Sequence, residues 1–573
     1  MRYETLAQIY EETSSTPKRL EKIKILSRFL YTLSNSDREV MYLLLGDIYP
    51  EYDERRIGIS NQLAIKAISK STGTKISHVE KEWKKIGDLG KVAEKLTENK
   101  KQLTLLQTKI LTTEKVLSNL RKLPELEGKG SVEKKLSLIT ELLTSASPLE
   151  AIYLIRTLIG DLRIGMKEST IRSSMAQAFF KNAENSGKYI QSAIDKSNDL
   201  AIVFDAVKKG KLEDLKKISL EVGKPIKAML AQKVKNIKEG FKALGKPCAI
   251  EYKYDGFRLL IHKKNKEILL FTRSLENVTK QFPEVVEYVQ KYVKGKSFIL
   301  DSEAVGFDNK TKEYKQFQSI SQRIRRKYNI EKIKKELPVE VNIFDIIYYN
   351  GKSQLEEPFE KRTNLIKKII KNHPYKIIHA KQIITSNEKK AQEFYEQALK
   401  NNQEGVMMKN LKAEYNPGSR VGHMLKIKPE ERDLDLVITG AEYGKGKRSE
   451  WLSSFILSCR DKETKKFLEI GKVGTGIKEK SSEEIKGISF EELTKKLTPL
   501  IIEENKKVVK IKPKIIVSIT YQEIQKSPNY NSNFALRFPR FTGLREDKPL
   551  TEISSLQEIQ KDFENQKRNY HYG

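Results

Sequence analysis

From Leu20 to Leu33, Leu63 to Ile68, Leu136 to Leu143 and Ile152 to Ile159, apolar residues recur at heptad-like spacing, and strand-like alternation is scarce before about residue 218. That spacing puts apolar side chains on one helix face, so residues 1–218 are expected to form an all-helical domain. The texture changes around Gly223-Lys224-Pro225. From Cys248 to about Lys428, the apolar runs Ser297 to Val305 and Val339 to Tyr349 alternate with helix-like stretches, Lys361 to Lys371 and Glu388 to Lys400. This mixture predicts an α+β domain with a substantial sheet, assigned to residues 219–429. After Glu430 the runs shorten to Leu434–Tyr443, Phe455–Cys459, Phe467–Val473 and Ile515–Tyr521, with glycine turns and one helical stretch, Phe490 to Leu500. A small β-barrel over residues 430–573 fits that pattern, ending in a polar tail, Asp562 to Gly573, that is expected to fray.

One short pattern occurs twice in the helical part. Leu45-Gly46-Asp47 followed by Arg56-Ile57-Gly58 is echoed by Ile159-Gly160-Asp161 followed by Arg163-Ile164-Gly165. Each lies between an apolar helix and a new one, starting near Ser60 or near Lys167-Glu168-Ser169. Glycine turns that enter helix N-termini offer backbone N–H groups to phosphate oxygens, and they serve plain helix capping equally well. Charge bears on the partner class. Lys+Arg number 108 against 76 Asp+Glu, a net charge of +32, which points to a polyanion and first to nucleic acid. The only two cysteines, Cys248 and Cys459, exclude a disulfide framework and a four-cysteine zinc module. Met1 to Ser15 has no apolar signal core and no run reaches membrane-span length, so an intracellular protein is expected.

The most informative chemistry lies in Glu251-Tyr252-Lys253-Tyr254-Asp255-Gly256-Phe257-Arg258, a K-x-D-G-x-R pattern. Asp255-Gly256 is a turn dipeptide between two apolar runs, which predicts a hairpin with Lys253 at the end of its first strand. Nearby positive charge from Arg258 and partial burial would both favour a neutral, nucleophilic amine. Further groups follow in the same domain: Arg273 in Phe271 to Glu276, Glu303 closing Phe298 to Glu303, Phe344 in Val341 to Ile346, and Glu404 ahead of Gly405 to Lys409. Lys426 and Lys428 alternate with apolar residues and share a strand face. Taken singly, each has a plain structural explanation, from surface ion pairs to core packing. Their order after Lys253 carries the weight.

That order resembles the covalent nucleotidyltransferases, and the whole chain is similar to the archaeal ATP-dependent DNA ligases. The C-terminal Phe534 to Phe541 run, Arg545-Glu546-Asp547-Lys548, and Tyr521 to Pro528 extend the resemblance over essentially the full length. It implies three domains: a helical DNA-binding domain, an adenylation domain and an OB-fold barrel. Lys253 would take AMP from ATP as a phosphoramide. Glu251 would help read adenine, and Phe344 would stack on its ring. Arg258 would hold phosphate, and Arg273 would contact the nucleotide or the nick 5′-phosphate. Glu303 would bind ribose or a metal-bound water, and Glu404 would be the main carboxylate for Mg²⁺. Arg420 and Lys426 would neutralise the triphosphate, with Lys428 assisting. Arg545 and Lys548 would approach only when the barrel closes over ATP.

The implied partner is nicked double-stranded DNA, gripped through its backbone and sealed by a monomer. Gln102, Leu103, Leu105 and Leu106 fall where relatives carry a sliding-clamp docking peptide, with leucines replacing its two aromatics. A capping guanylyltransferase or RNA ligase shares the lysine motif, but the long helical domain and the Phe534 to Lys548 segment favour a DNA ligase. An NAD-dependent ligase would need four zinc-binding cysteines, and a non-catalytic DNA scaffold would have no use for a covalent nucleophile.

Overall fold

The computed structural model describes residues 1–98, 110–180, 185–315, 317–324, 326, 328–429, 432–444, 448, 451–479, 488–505 and 508–568. Met1–Ala398 with Asn402–Ile427 form one compact unit, and Leu399–Asn401 with Lys428–Gly573 form a second. The expected helical and α+β parts are therefore packed together in one unit.

The first part runs as helices from Tyr3–Ser14 to Leu212–Lys216, with no strand among its described residues. Leu26, Leu30, Val79, Val116, Ile152, Ile155 and Phe204 share a single apolar core, as the spacing of the apolar residues predicts. Local chemistry sets the helix starts. Ser60 Oγ accepts the Leu63 N–H ahead of Asn61–Thr72, and Ser147 and Glu150 cap Pro148–Leu158 reciprocally. The second echo leads into Glu168–Phe179. Gly46 and Gly160 both adopt left-handed φ values, 81° and 70°, and residues of both turns line one cavity of about 180 Å³ with Arg55 and Arg56. Buried Asp88 anchors the second turn by accepting from Arg156 (2.8 Å) and Arg163 (3.1 Å).

The change of texture at Gly223 coincides with a fixed crossing point. Its N–H donates to His262 Nδ1 at 3.0 Å. Burial pulls the His262 imidazole down to about 3, so the ring is neutral and can accept. Further ties join the helical and sheet parts: Lys227 bridges Glu51 (2.6 Å) and Glu168 (2.7 Å), and Glu54 accepts the Asn277 N–H.

Two sheets build the α+β part. β1 (Leu230–Lys233), β2 (Cys248–Lys253), β9 (Gln382–Thr385), β10 (Gly405–Lys409) and β11 (Arg420–Ile427) lie in the order β1-β11-β10-β2-β9. The other sheet has the order β4-β3-β5-β6-β7, from β3 (Phe257–Lys264), β4 (Glu267–Thr272), β5 (Ser297–Gly306), β6 (Val339–Tyr349) and β7 (Lys352–Ser353), with β8 (Ile377–His379) beside β6. The pairs β1–β11 and β6–β8 are parallel and the rest antiparallel. The expected hairpin at Asp255-Gly256 is not one. β2 pairs with β9 and β10, whereas β3 pairs with β4 and β5, so the turn carries the chain from one sheet into the other. Gly256 lies so close to β5 that a Cβ there would collide with the Ala304 carbonyl oxygen. Turn chemistry marks where a strand ends, but the partner of each strand is chosen by long-range pairing.

The second unit is strand-rich: β12 (Arg432–Tyr443), β13 (Leu452–Arg460), β14 (Phe467–Val473), β15 (Ile501–Asn505), β16 (Val508–Ile511), β17 (Ile516–Tyr521), β18 (Glu523–Lys526), β19 (Phe534–Arg537) and β20 (Arg540–Leu544). β12 pairs with β13 along one edge; along the other, Arg432–Val437 pair with β17 and Gly440–Glu442 with β16. Sharing one edge between two strands coils the sheet in the manner of an OB-fold. Among the described residues its ladder does not close into a complete barrel. Phe490–Leu497 packs into this core as the apolar spacing predicts. Of the tail expected to fray, Asp562 to Gly573, the described part up to Arg568 instead continues the helix Leu556–Arg568, whose Leu556, Ile559 and Phe563 pack on the core of the second unit, with the Phe563 ring edge-on to Phe534; residues 569–573 lie outside the described residues. Three apolar residues at helical spacing outweigh the polar composition around them.

Candidate active site

Both sheets of the first unit line a cleft of about 910 Å³. β2 contributes Glu251 and Lys253, β3 Arg258, the turn after β4 Arg273, β5 Glu303, and β6 Phe344. Glu404 enters just before β10, and β11 supplies Arg420 and Lys426. The cleft thus gathers all nine side chains singled out in the sequence as catalytic, nucleotide-binding or metal-binding. Lys428 is not in its lining, because β11 ends at Ile427. Arg545 and Lys548 belong to the second unit, where both engage Asp435 (2.8 and 2.6 Å). Gln102, Leu103, Leu105 and Leu106 lie outside the described residues.

Lys253 ends β2 with its side chain 22% exposed, and its Nζ lies 2.7 Å from Glu404 Oε2. The Glu404 N–H also donates to the Lys253 carbonyl, so backbone and side chain fix the pair together. The nearest charged partner of the amine is therefore a carboxylate, not the arginine that the motif spacing implied. Arg258 is turned to another task. Its Nε and one terminal nitrogen fork onto Asp301, that nitrogen also reaches the Tyr415 hydroxyl, and the other donates to the Met229 carbonyl. Four of the five guanidinium N–H groups are thereby occupied, which leaves one for a phosphate. Tyr415 also donates to Asp301 at 2.8 Å, completing a buried cluster behind the cleft floor.

Phe344 owes its place to a bulge. Ser302 of β5 pairs with Ile343 and Asp301 with Asp345, so Phe344 is the extra residue between them. Bulges re-aim side chains and break the ladder locally. The Phe344 ring faces the Lys409 ammonium (4.9 Å) and the Arg258 guanidinium (5.4 Å), and its carbonyl accepts from Lys409 Nζ at 3.2 Å. Glu251 is 1% exposed. Its Oε2 lies 2.6 Å from Lys409 Nζ, and its Oε1 accepts from Gln382 Nε2 at 2.8 Å. Burial raises the Glu251 carboxyl above the ordinary value, with Lys409 the main opposing influence.

Glu303 stands beside Arg258 in the β3–β5 ladder. Burial pushes its carboxyl up to about 8, against the pull of Lys253 and Arg258. The charge of Glu404 adds to that rise, and two carboxylates that interact in one cleft suit a hard divalent cation. No group of three or more His, Cys, Asp or Glu side chains with metal-site geometry occurs among the described residues. Glu303 and Glu404 therefore fit the Mg²⁺ habit of taking one or two carboxylates and completing its shell with phosphate oxygens and water.

Sequence reasoning did not assign Asp301, Tyr415, Lys409 or Gln382. Asp301 and Lys409 sit within segments it had marked, and alternation along β5 and β10 could have drawn attention to them. Tyr415 and Gln382 carried no signal, since they reach the site only through the tertiary fold.

Three family models match the chain: "DNA ligase N terminus" over residues 2–176, "ATP dependent DNA ligase domain" over 228–428, and "ATP dependent DNA ligase C terminal region" over 448–548. The DNA ligase of Nanoarchaeum equitans is 43% identical over 571 residues, covering 100% of both chains. That of Thermococcus fumicolans is 37% identical, covering 99% of each. The solved structure named "Pmar-Lig_PreS3" shares the fold, with a TM-score of 0.57 and 18% identity over 94% of this chain and 99% of its own. Similarity of this extent, running through all three matched regions in order, means that the chain belongs to the ATP-dependent DNA ligase family.

Proposed function

We propose that this protein seals nicks in double-stranded DNA during replication, recombination and repair, through a Lys253–AMP intermediate with ATP as the AMP donor. The observation that carries the proposal is the position of Lys253 at the end of β2, 2.7 Å from Glu404, in a cleft that also holds Glu251, Phe344 and a cluster of cations.

In the first step, Lys253 Nζ gives up a proton, for which Glu404 Oε2 is the acceptor within reach, and attacks the α-phosphorus. The N–P bond forms, the bridging P–O bond breaks, and diphosphate leaves. Glu251 accepts from the adenine amine while Phe344 stacks on the ring. Arg420 and Lys426 neutralise the phosphates, and Arg273 steers the nucleotide or the nick 5′-phosphate. Glu303 and Glu404 would hold Mg²⁺, which when bound would supply charge neutralisation at the phosphate oxygens. AMP then passes to the 5′-phosphate as the N–P bond breaks. Finally the 3′-hydroxyl attacks that phosphorus and AMP leaves. All three displacements call for positioning and cationic stabilisation.

The paired glycine turns with Arg55, Arg56 and Arg163 support a backbone grip on the duplex by residues 1–218, the domain division proposed being 1–218, 219–429 and 430–573. The same proposal includes action as a monomer inside the cell, with the degenerate segment at Gln102 to Leu106 as a clamp contact. No helix among the described residues is long and apolar enough to cross a membrane.

The test is incubation with α-labelled ATP, GTP or NAD and Mg²⁺. Label retained on the protein from ATP alone, and lost in Lys253→Ala together with nick sealing, is the expected result. No covalent label from any nucleotide would sink the proposal, and sealing of RNA nicks in preference to DNA would change its polymer.

A further inference from the structure

Lys409 takes no part in the mechanism above, yet it touches both groups that would meet the base. Its ammonium, on a side chain only 4% exposed, reaches Glu251 Oε2 at 2.6 Å and the Phe344 carbonyl at 3.2 Å. The carbonyl belongs to the bulged residue, whose ladder bonding is interrupted. The same ammonium lies 4.4 Å from the Phe359 ring and 4.9 Å from the Phe344 ring, so two aromatic faces enclose it. Register explains the meeting. Glu251 on β2 stands opposite Met407 on β10, and Lys409, two residues on, points to the same face. Glu251 is held from the other side by Gln382, whose amide also donates to Thr363 Oγ1 at 3.1 Å.

We propose that Lys409 is the positioning residue for base selection, fixing Glu251 as a hydrogen-bond acceptor and Phe344 as a stacking face at one point. This rests on the proposed roles of Glu251 and Phe344. A carboxylate with one oxygen on Lys409 and the other on Gln382 has lone pairs left but no proton. It accepts from an amino-bearing purine and repels the carbonyl oxygen of an oxo-purine. Without the ammonium, a buried carboxyl takes up a proton and becomes a donor, which suits the oxo-purine. Leaving a buried polar group mismatched costs far more discrimination than losing an apolar contact. Lys409 therefore sets which base enters, and Lys253 sets what is done to its phosphate.

The test uses the full chain with Mg²⁺ and α-labelled ATP or GTP, comparing wild type with Lys409→Met, which keeps the aliphatic stem. The ATP concentration for half-maximal labelling should rise at least about tenfold, the preference for ATP over GTP should fall by a similar factor, and the loss should show mainly in that concentration rather than in the rate at saturation. A general structural lesion would lower labelling from both nucleotides alike. Should Lys409→Met fail to fold, Lys409→Gln, which removes the ammonium but keeps an amide donor and leaves Glu251 in place, carries the same expectation. A folded variant that keeps wild-type half-saturation and nucleotide preference within threefold overturns the proposal. Absence of label on the wild-type protein from either nucleotide would instead overturn the nucleotidyl-transfer mechanism on which it rests.

Discussion

Asp301 is fully buried and accepts from both Arg258 and Tyr415. Breaking a buried pair from one side leaves an uncompensated ion, a loss of about 3–5 kcal/mol. Asp301→Asn should therefore destabilise the first unit by about that much in denaturant unfolding, and Asp301→Leu with Arg258→Met should recover most of it. A loss under ~1 kcal/mol for the single variant would show that Arg258 finds other partners. At this scale the motif order picked out Lys253, Glu303, Phe344 and Glu404, because residue types in a fixed order are visible in one dimension; it had Glu303 closing its strand, whereas β5 runs on to Gly306. Nor did it show the partners of Arg258, most of whose donors are taken by an aspartate on β5, the Met229 carbonyl and a tyrosine 157 residues away. Proximity in sequence says which groups are near, but not which partner each one takes.

Among the elements, the crossing at Asp255-Gly256 is the most constrained, since Gly256 faces the Ala304 carbonyl. Gly256→Ala must push the turn away from β5, beside Lys253. Its AMP labelling should fall on the order of a hundredfold, as small misplacements of a nucleophile do, and labelling within a few-fold of wild type would refute the close approach. In the helical part, burial raises the Asp195 carboxyl, next to Gln191, to about 6 from 3.8. The folded state then binds the extra proton between about pH 4 and 6. Wild-type stability is highest below that window and falls as pH rises through it. Asp195→Asn cannot ionise, so its advantage over wild type should grow from near zero at pH 4 to about 2–3 kcal/mol at pH 7.5 in parallel unfolding curves. An advantage that does not change with pH would refute it. Apolar periodicity made most elements legible, including Phe490–Leu497 and the strands β5, β6 and β12. It did not show that β2 and β3 part company, nor that Leu556–Arg568 is a packed helix.

At the scale of the molecule, the excess of 108 Lys+Arg over 76 Asp+Glu makes DNA binding a matter of counterion release. Affinity for a nicked duplex should fall at least about tenfold between ~50 and ~200 mM salt, with little dependence on sequence; a flat salt response measured by fluorescence anisotropy would contradict a backbone grip. Composition, the K-x-D-G-x-R pattern and the order of the later motifs determined the chemistry, since covalent nucleotidyl transfer needs particular residue types, and these are written directly in the chain. Apolar periodicity likewise determined the run of helices, then mixed elements, then strands. Only the tertiary structure decided how these parts engage. It placed the lysine motif across two sheets, put Glu404 rather than Arg258 beside Lys253, and set Lys409 between Glu251 and the bulged Phe344. Strand pairing, register and buried ion pairing depend on residues distant in sequence, so they are settled only when the chain has closed on itself.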